Sequence, residues 1–215
     1  MKGECVQRVF AVGDIHGCYD KLVQLLGRIP LDWKRDRLVF MGDYIDRGPH
    51  SYEVVEHLIQ LQDLHPDIVF LKGNHEQMLA DYLAGKDRLL YLYNGGQQTL
   101  ESYLRHGARG EHPIPPRHRR FFDELRLLFE TEDYIFVHAG LRRDVPPADQ
   151  GPEDLLWIRE SFIDCDQSFG KRVVFGHTPF DRPLVQANKI GIDTGAVFGN
   201  KLTCVQLPDE IFYSA

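Results

Sequence analysis

Cysteine is scarce in this 215-residue chain, and the four present (Cys5, Cys18, Cys165 and Cys204) share no CxxC spacing. That pattern reads as free, buried thiols in a reducing compartment and argues against a disulfide framework or a zinc site. Long hydrophobic runs are lacking as well. No apolar stretch approaches the ~20 residues needed to span a bilayer, and Met1–Gln7 carries no charged-then-apolar leader. A cytoplasmic location with no membrane partner is therefore expected. An excess of positive charge is also missing: 25 Lys and Arg face 32 Asp and Glu, for a net charge of -7. Nucleic acid is thus not an expected partner, since phosphate backbones call for clustered cations. Repeats and low-complexity linkers are absent. What remains is 43% hydrophobic and 27% charged, the make-up of an ordinary globular protein, and its length suits one domain over residues 1–215. A monomer is compatible with this pattern.

Short β-branched and aromatic runs recur at Arg8–Val12, Arg37–Met41, Ile68–Leu71, Tyr134–Val137 and Val173–Phe175. Each is too short and too continuously apolar for a surface helix, so each reads as a buried strand. Amphipathic stretches lie between several of them. Tyr19–Ile29 places Leu22, Leu25, Leu26 and Ile29 on one face, and Ser51–Leu64 does the same with Val54, Val55, Leu58 and Leu61, with Ser51 a candidate N-cap. This alternation predicts an α/β fold with βαβ units and a largely parallel sheet. The tail differs: Lys189–Thr194, the turn-prone Gly195–Asn200 and Lys201–Leu207 read as a hairpin, which implies a second, mixed sheet. Asp81–Arg120 is the least regular stretch, with Asn94-Gly95-Gly96 and a run rich in Arg, His and Pro. It reads as an insertion over the site rather than a domain boundary. Arg117-His118-Arg119-Arg120 reads equally as a recruiting patch for acidic surfaces or as the solvated face of a helix running on through Phe121–Phe129.

Residues that carry chemistry fall just after the strands, where ligands gather in α/β folds. Gly13-Asp14-Ile15-His16-Gly17 follows the first, and its Asp14 and His16, two apart on extended backbone, point the same way. Asp43 in Gly42-Asp43-Tyr44-Ile45-Asp46-Arg47-Gly48 follows the second. Asn74 in Gly73-Asn74-His75-Glu76 follows the third, and His138 and His177 end the fourth and fifth. Taken singly, each of these is as ordinary as a hydrogen-bonded buried side chain. Taken together they supply two carboxylates, an amide oxygen and three imidazoles at five strand ends, the inventory of a site for two adjacent divalent cations.

GDIHG, GDYIDRGP, GNHE, the His of VHAG, and GHT resemble the phosphoprotein phosphatase family of metallophosphoesterases. The short length and Asn94-Gly95-Gly96-Gln97-Gln98-Thr99 look like its small bacterial and bacteriophage Ser/Thr branch, and the resemblance runs from about Arg8 to Leu207. It implies a calcineurin-like β-sandwich of mixed sheets flanked by helices. It further implies that Asp14, His16 and Asp43 hold one metal and that Asp43, Asn74, His138 and His177 hold the other. Manganese is the metal expected, with iron, zinc, nickel or cobalt as substitutes.

A hydroxide shared by two such cations attacks phosphorus in line, so no covalent intermediate is needed. The chain accordingly lacks a Cys-x5-Arg loop. By the same resemblance Arg47 and Arg159 grip the phosphate, and His75 protonates the leaving alkoxide with Asp46 orienting its ring. Glu76 is expected to brace the following helix, and His50, His57 and His65 to be solvated. The implied activity is a serine/threonine protein phosphatase acting on phosphorylated proteins. The alternative is a symmetrical dinucleoside tetraphosphate hydrolase, whose group shares GDIHGCY and the later motifs. A cyclic phosphodiesterase or nuclease would carry a second ligating His where Pro179 stands, and a non-enzymatic scaffold would have lost a ligand; none of the six is missing.

Overall fold

In the computed structural model the described residues are 8–107 and 113–215. The chain runs β1 (Val9–Val12), α1 (Tyr19–Leu26), β2 (Arg37–Phe40), α2 (Ser51–Leu64) and β3 (Val69–Phe70). Helices follow: α3 (Asn74–Leu83), α4 (Arg88–Tyr91), a π-turn over Leu92–Gly96, α5 (Gln97–Arg105) and α6 (Pro116–Asp123). Next come β4 (Leu128–Glu130), β5 (Tyr134–Val137), α7 (Pro152–Trp157), α8 (Glu160–Ile163) and β6 (Arg172–Phe175). The chain ends with β7 (Leu184–Val185), β8 (Lys189–Gly191), β9 (Thr203–Leu207) and β10 (Ile211–Ser214).

Two five-stranded mixed sheets result, in the orders β10-β9-β1-β2-β3 and β4-β5-β6-β8-β7. β1, β2 and β3 run parallel, with Val9 beside Arg37, and so do β5, β6 and β8. The strands read as continuous apolar runs because both of their faces are buried. Val9, Ala11, Val39, Met41 and Val69 meet Phe136, Val174 and Ile190 between the sheets. Their alternate neighbours Phe10, Val12, Leu38 and Phe40 pack outward on Leu22, Leu25, Val54 and Leu58 of α1 and α2. On the opposite side Ile135, Val137, Val173 and Phe175 pack on Leu155 and Phe162. The layers are therefore helix, sheet, sheet, helix, and the expected sandwich is present. No helix among the described residues is long and apolar enough to cross a membrane.

Several local expectations are corrected. Lys189–Thr194 and Lys201–Leu207 do not pair with each other: β8 belongs to the second sheet and β9 to the first. Gly195 (φ 69°), a 3-10 turn over Ala196–Phe198 and Gly199 (φ 92°) carry the chain across the sandwich, and the hairpin is β9–β10 instead. The 81–120 stretch is mostly helical. Thr99, Ser102 and Tyr103 are buried at helical spacing, Tyr91 is buried before them, and Gly95 (φ 102°) kinks the chain between the two helices. Residues 108–112 of that stretch, with His112 of its Arg/His run, lie outside the described residues, as does Cys5. Helix α6 stops at Asp123, because Leu128–Glu130 is taken by pairing with β5.

Ser51 is the first helical residue of α2 rather than its cap, and its hydroxyl serves Asp46 and Thr99 instead. His118 is buried between Tyr103 Oη (2.8 Å) and Glu56 (2.9 Å), so it is not part of a solvated face. His50, His57 and His65 are half-buried.

One buried charge sits away from any site. The Lys189 amine, fully enclosed, donates to the carbonyls of Phe162 (2.7 Å), Ile163 (3.0 Å) and Cys165 (2.5 Å), closing the end of α8. Lys189→Met is expected to leave these acceptors unpaired and to cost about 3 kcal/mol. Urea unfolding would show this as a lower midpoint at unchanged slope.

Candidate metal centre

The parallel strands of both sheets deliver polar side chains to one end of the sandwich. Asp14 follows β1, Asp43 follows β2, and Asn74 and His75 open α3 just beyond β3. From the second sheet, His138 follows β5 and His177 follows β6. The Asp14 carboxylate accepts the His177 backbone N–H (3.0 Å) and so ties the two sheets together. His16, Asp43, Asp46, Arg47 and His177 all adopt left-handed backbone, with φ between 45° and 71°. Such strain in non-glycine residues is characteristic of functional loops held by their surroundings. Gly73 makes the closest approach possible, since a Cβ there would fall 2.0 Å from Asp43 Oδ1.

Hydrogen bonds fix the imidazole orientations. His16 Nδ1–H donates to Ile45 O (2.8 Å) and His138 Nδ1–H to Met41 O (2.9 Å). Each Nε2 lone pair is thereby turned into the cluster. His138 Nε2 then faces Asn74 Oδ1 at 3.0 Å and Asp43 Oδ1 at 3.4 Å, three acceptors with no proton among them. His16 Nε2 lies 3.3 Å from Asp43 Oδ2, and His177 Nδ1 lies 3.0 Å from Asn74 Oδ1.

The electron pairs of His138 Nε2, Asn74 Oδ1 and Asp43 Oδ1, converging in this way, call for a cation between them. The donor set fits one: His16, Asp43 and His75 present atoms within 4.8 Å of one another, and so do Asp43, His138 and His177. Burial holds the rings in the neutral form that ligates, lowering His138 and taking His16 to about 3 and His177 to about 2. Burial raises the carboxyl of Asp14, reinforced by Asp193 and Asp43.

The predicted residues are brought together with two differences of detail. Asp14 is turned to the His177 amide, while the ring of His75, with Nε2 4.0 Å from Asp43 Oδ2, occupies the group with His16 and Asp43. Arg47 reaches His16 Nε2 with a guanidinium N–H (2.6 Å), and Arg159 lies on the other flank, donating to His177 O and Thr178 Oγ1 (both 3.2 Å). His75 Nδ1 meets Asp46 Oδ2 at 2.7 Å, and its Nε2 is buried without a partner. Burial works against its charge, but Asp43 and Asp46 prevail and raise its pKa above the ordinary value.

Glu76 does brace α3, accepting the N–H of Gly73 at its start (2.9 Å), and it also accepts the N–H groups of Asp43 (3.0 Å) and Tyr44 (2.9 Å) in the site loop. Sequence reasoning missed Asp193, which is buried just after β8, and Tyr91 and Thr99, whose hydroxyls bond Asp46. Asp193 carried a usable signal, an acid following another apolar strand; Thr99 closes the Asn94–Thr99 run that carries part of the family resemblance, though with no role attached, and Tyr91 carried none.

This end of the sandwich gathers buried acids and imidazoles whose donor atoms lie within reach of a shared cation, with Arg47 and Arg159 at their edge. Residues 7–204 match the Calcineurin-like phosphoesterase family model, and the chain belongs to that family. It is 35% identical over 210 residues to serine/threonine-protein phosphatase 1 of Salmonella typhimurium, covering 94% of this chain and 92% of that one. It is also 29% identical over 231 residues to the asymmetrical bis(5'-nucleosyl)-tetraphosphatase PrpE of Halalkalibacterium halodurans, covering 94% and 91%. A cold-active protein tyrosine phosphatase structure superposes with a TM-score of 0.74 at 18% identity, over 98% of this chain and 79% of that one, a likeness of fold.

Proposed function

We propose that this metallophosphoesterase is a serine/threonine protein phosphatase, a single domain over residues 1–215 that hydrolyses phosphomonoesters on proteins with two divalent cations. Asp14, His16 and Asp43 would hold one cation, and Asp43, Asn74, His138 and His177 the other. Mixed oxygen and nitrogen donors accept manganese, iron, zinc, nickel or cobalt alike, and manganese is the one the family resemblance implies. Such cations supply Lewis acidity and lower the pKa of water.

The chain's own groups do the rest. Arg47 and Arg159 bind the phosphate oxygens, where charge builds in the transition state. His75 gives its Nε2 proton to the departing oxygen, and Asp46 holds the ring and favours its charged form. That buried dyad, with Nδ1 at 2.7 Å from Asp46 and Nε2 unpartnered, carries the reading of a phosphoester hydrolase with its own proton donor. A serine or threonine alkoxide is a strong base that must be protonated as it leaves, which is what such a donor supplies. The dinucleotide-cleaving group shares the motifs that hold Asp46 and His75, so the choice of a phosphoprotein rests on the 35% identity to a bacterial serine/threonine phosphatase.

A dinucleotide-cleaving reading is favoured by Phe198, 65% exposed with the Arg47 guanidinium 5.5 Å from its ring centre, an aromatic face on which a base can stack. The PrpE relative supports it as well, in the asymmetrical form rather than the symmetrical one expected above. In manganese buffer, a phosphoserine or phosphothreonine peptide should be turned over with much higher kcat/KM than diadenosine tetraphosphate. A reversed preference would reject the protein phosphatase reading.

A further inference from the structure

The helical stretch from Tyr91 to Thr99 belongs to neither sheet, yet it grips the Asp46–Arg47 dipeptide from three sides. Tyr91 Oη donates to Asp46 Oδ1 at 2.9 Å, and Thr99 Oγ1 donates to the same oxygen at 2.7 Å. Thr99 Oγ1 in turn accepts the Asp46 backbone N–H (2.8 Å) and lies 2.9 Å from Ser51 Oγ. Between them, Gly95 O accepts the Arg47 N–H (3.1 Å). A Cβ on Gly95 would come 2.7 Å from that nitrogen, so the grip requires glycine there.

This arrangement has two consequences. With Oδ1 occupied by two hydroxyls, the Asp46 carboxylate is left to present Oδ2 to His75 Nδ1, in a fixed plane. The consecutive left-handed conformations of Asp46 (φ 71°) and Arg47 (φ 66°), costly for non-glycine residues, persist because neighbours hold them. Asp46, Tyr91 and Thr99 are all 1% exposed or less, so water does not substitute for these bonds.

We propose that Tyr91 and Thr99 are positioning residues for proton delivery: they lock Asp46, and through it the His75 ring, while the same segment seats the Arg47 backbone. This rests on the reading of His75 as the general acid. It predicts a defect that grows with the basicity of the leaving group, unlike general loosening of the fold.

The test compares p-nitrophenyl phosphate with phenyl phosphate, whose phenolate is the more basic leaving group. The manganese-loaded full chain, Tyr91→Phe, Thr99→Val and Thr99→Ser are assayed with both. Tyr91→Phe and Thr99→Val are expected to raise the kcat ratio of nitrophenyl to phenyl ester by about tenfold, part of the 10²–10⁴ a general acid supplies. Thr99→Ser, which keeps the hydroxyl, should restore the wild-type ratio. A second readout needs no metal. In the metal-free chain the His75 Nδ1 proton, assigned by its loss in His75→Asn, should give a downfield NMR signal that exchanges faster in both hydroxyl-less variants.

Equal falls on the two esters, or an unmoved proton signal, would overturn the positioning role. An unchanged ratio in His75→Asn would overturn the acid assignment beneath it. A wild-type chain that cleaves both aryl esters but no phosphoserine peptide would remove the protein phosphatase reading alone.

Discussion

The Asp43→Asn substitution is expected to lower turnover by roughly 10³-fold or more, the several kcal/mol that bound cations supply. Asp43 stands between the two halves of the site: Oδ2 is 3.3 Å from His16 Nε2 and Oδ1 is 3.4 Å from His138 Nε2. Asparagine keeps the shape and tolerates the left-handed backbone that Asp43 adopts (φ 52°). It lacks the charge and one acceptor. Folding should therefore survive while cation binding fails, and bound manganese should drop below two per chain by elemental analysis. A variant that keeps both its metal and its turnover would show that Asp43 bridges nothing.

His75→Asn should act differently. The loss on a phosphoserine peptide is expected to be about 10²–10⁴ in kcat, the contribution of a positioned proton donor. It should fall on kcat with KM little changed, because the group acts in the transition state rather than on bound substrate. Bound manganese should stay as in the wild type. Steady-state kinetics beside metal analysis separates this variant from Asp43→Asn, in which metal and turnover fall together. Retention of full turnover on the peptide would make His75 a packing residue.

The sheets were legible because their physics is local. Val9–Val12, Arg37–Phe40, Tyr134–Val137 and Arg172–Phe175 are short, largely apolar on both faces, and are followed closely by Asp14, Asp43, His138 and His177. The convergence of those ends follows from parallel pairing, which places the carboxyl ends of the parallel strands of each sheet at one edge. What escaped was what depends on tertiary choice. Lys189–Gly191 and Thr203–Leu207 pair with different sheets although a turn-rich segment joins them. The Asn94-Gly95-Gly96 run kinks the chain between two helices, with Gly95 at φ 102° where its carbonyl meets Arg47 from a distant loop. The bond from Tyr91 to Asp46 spans 45 residues and has no trace in spacing or composition.

The central claim, that six side chains from five strand ends assemble a site for two cations, is tested most directly by anomalous diffraction. Crystals of the full chain loaded with manganese would be measured at the metal absorption edge. Two peaks are predicted, one among Asp14, His16 and Asp43 and one among Asp43, Asn74, His138 and His177, with Asp43 touching both. A single peak, or peaks away from Asp43, would contradict it.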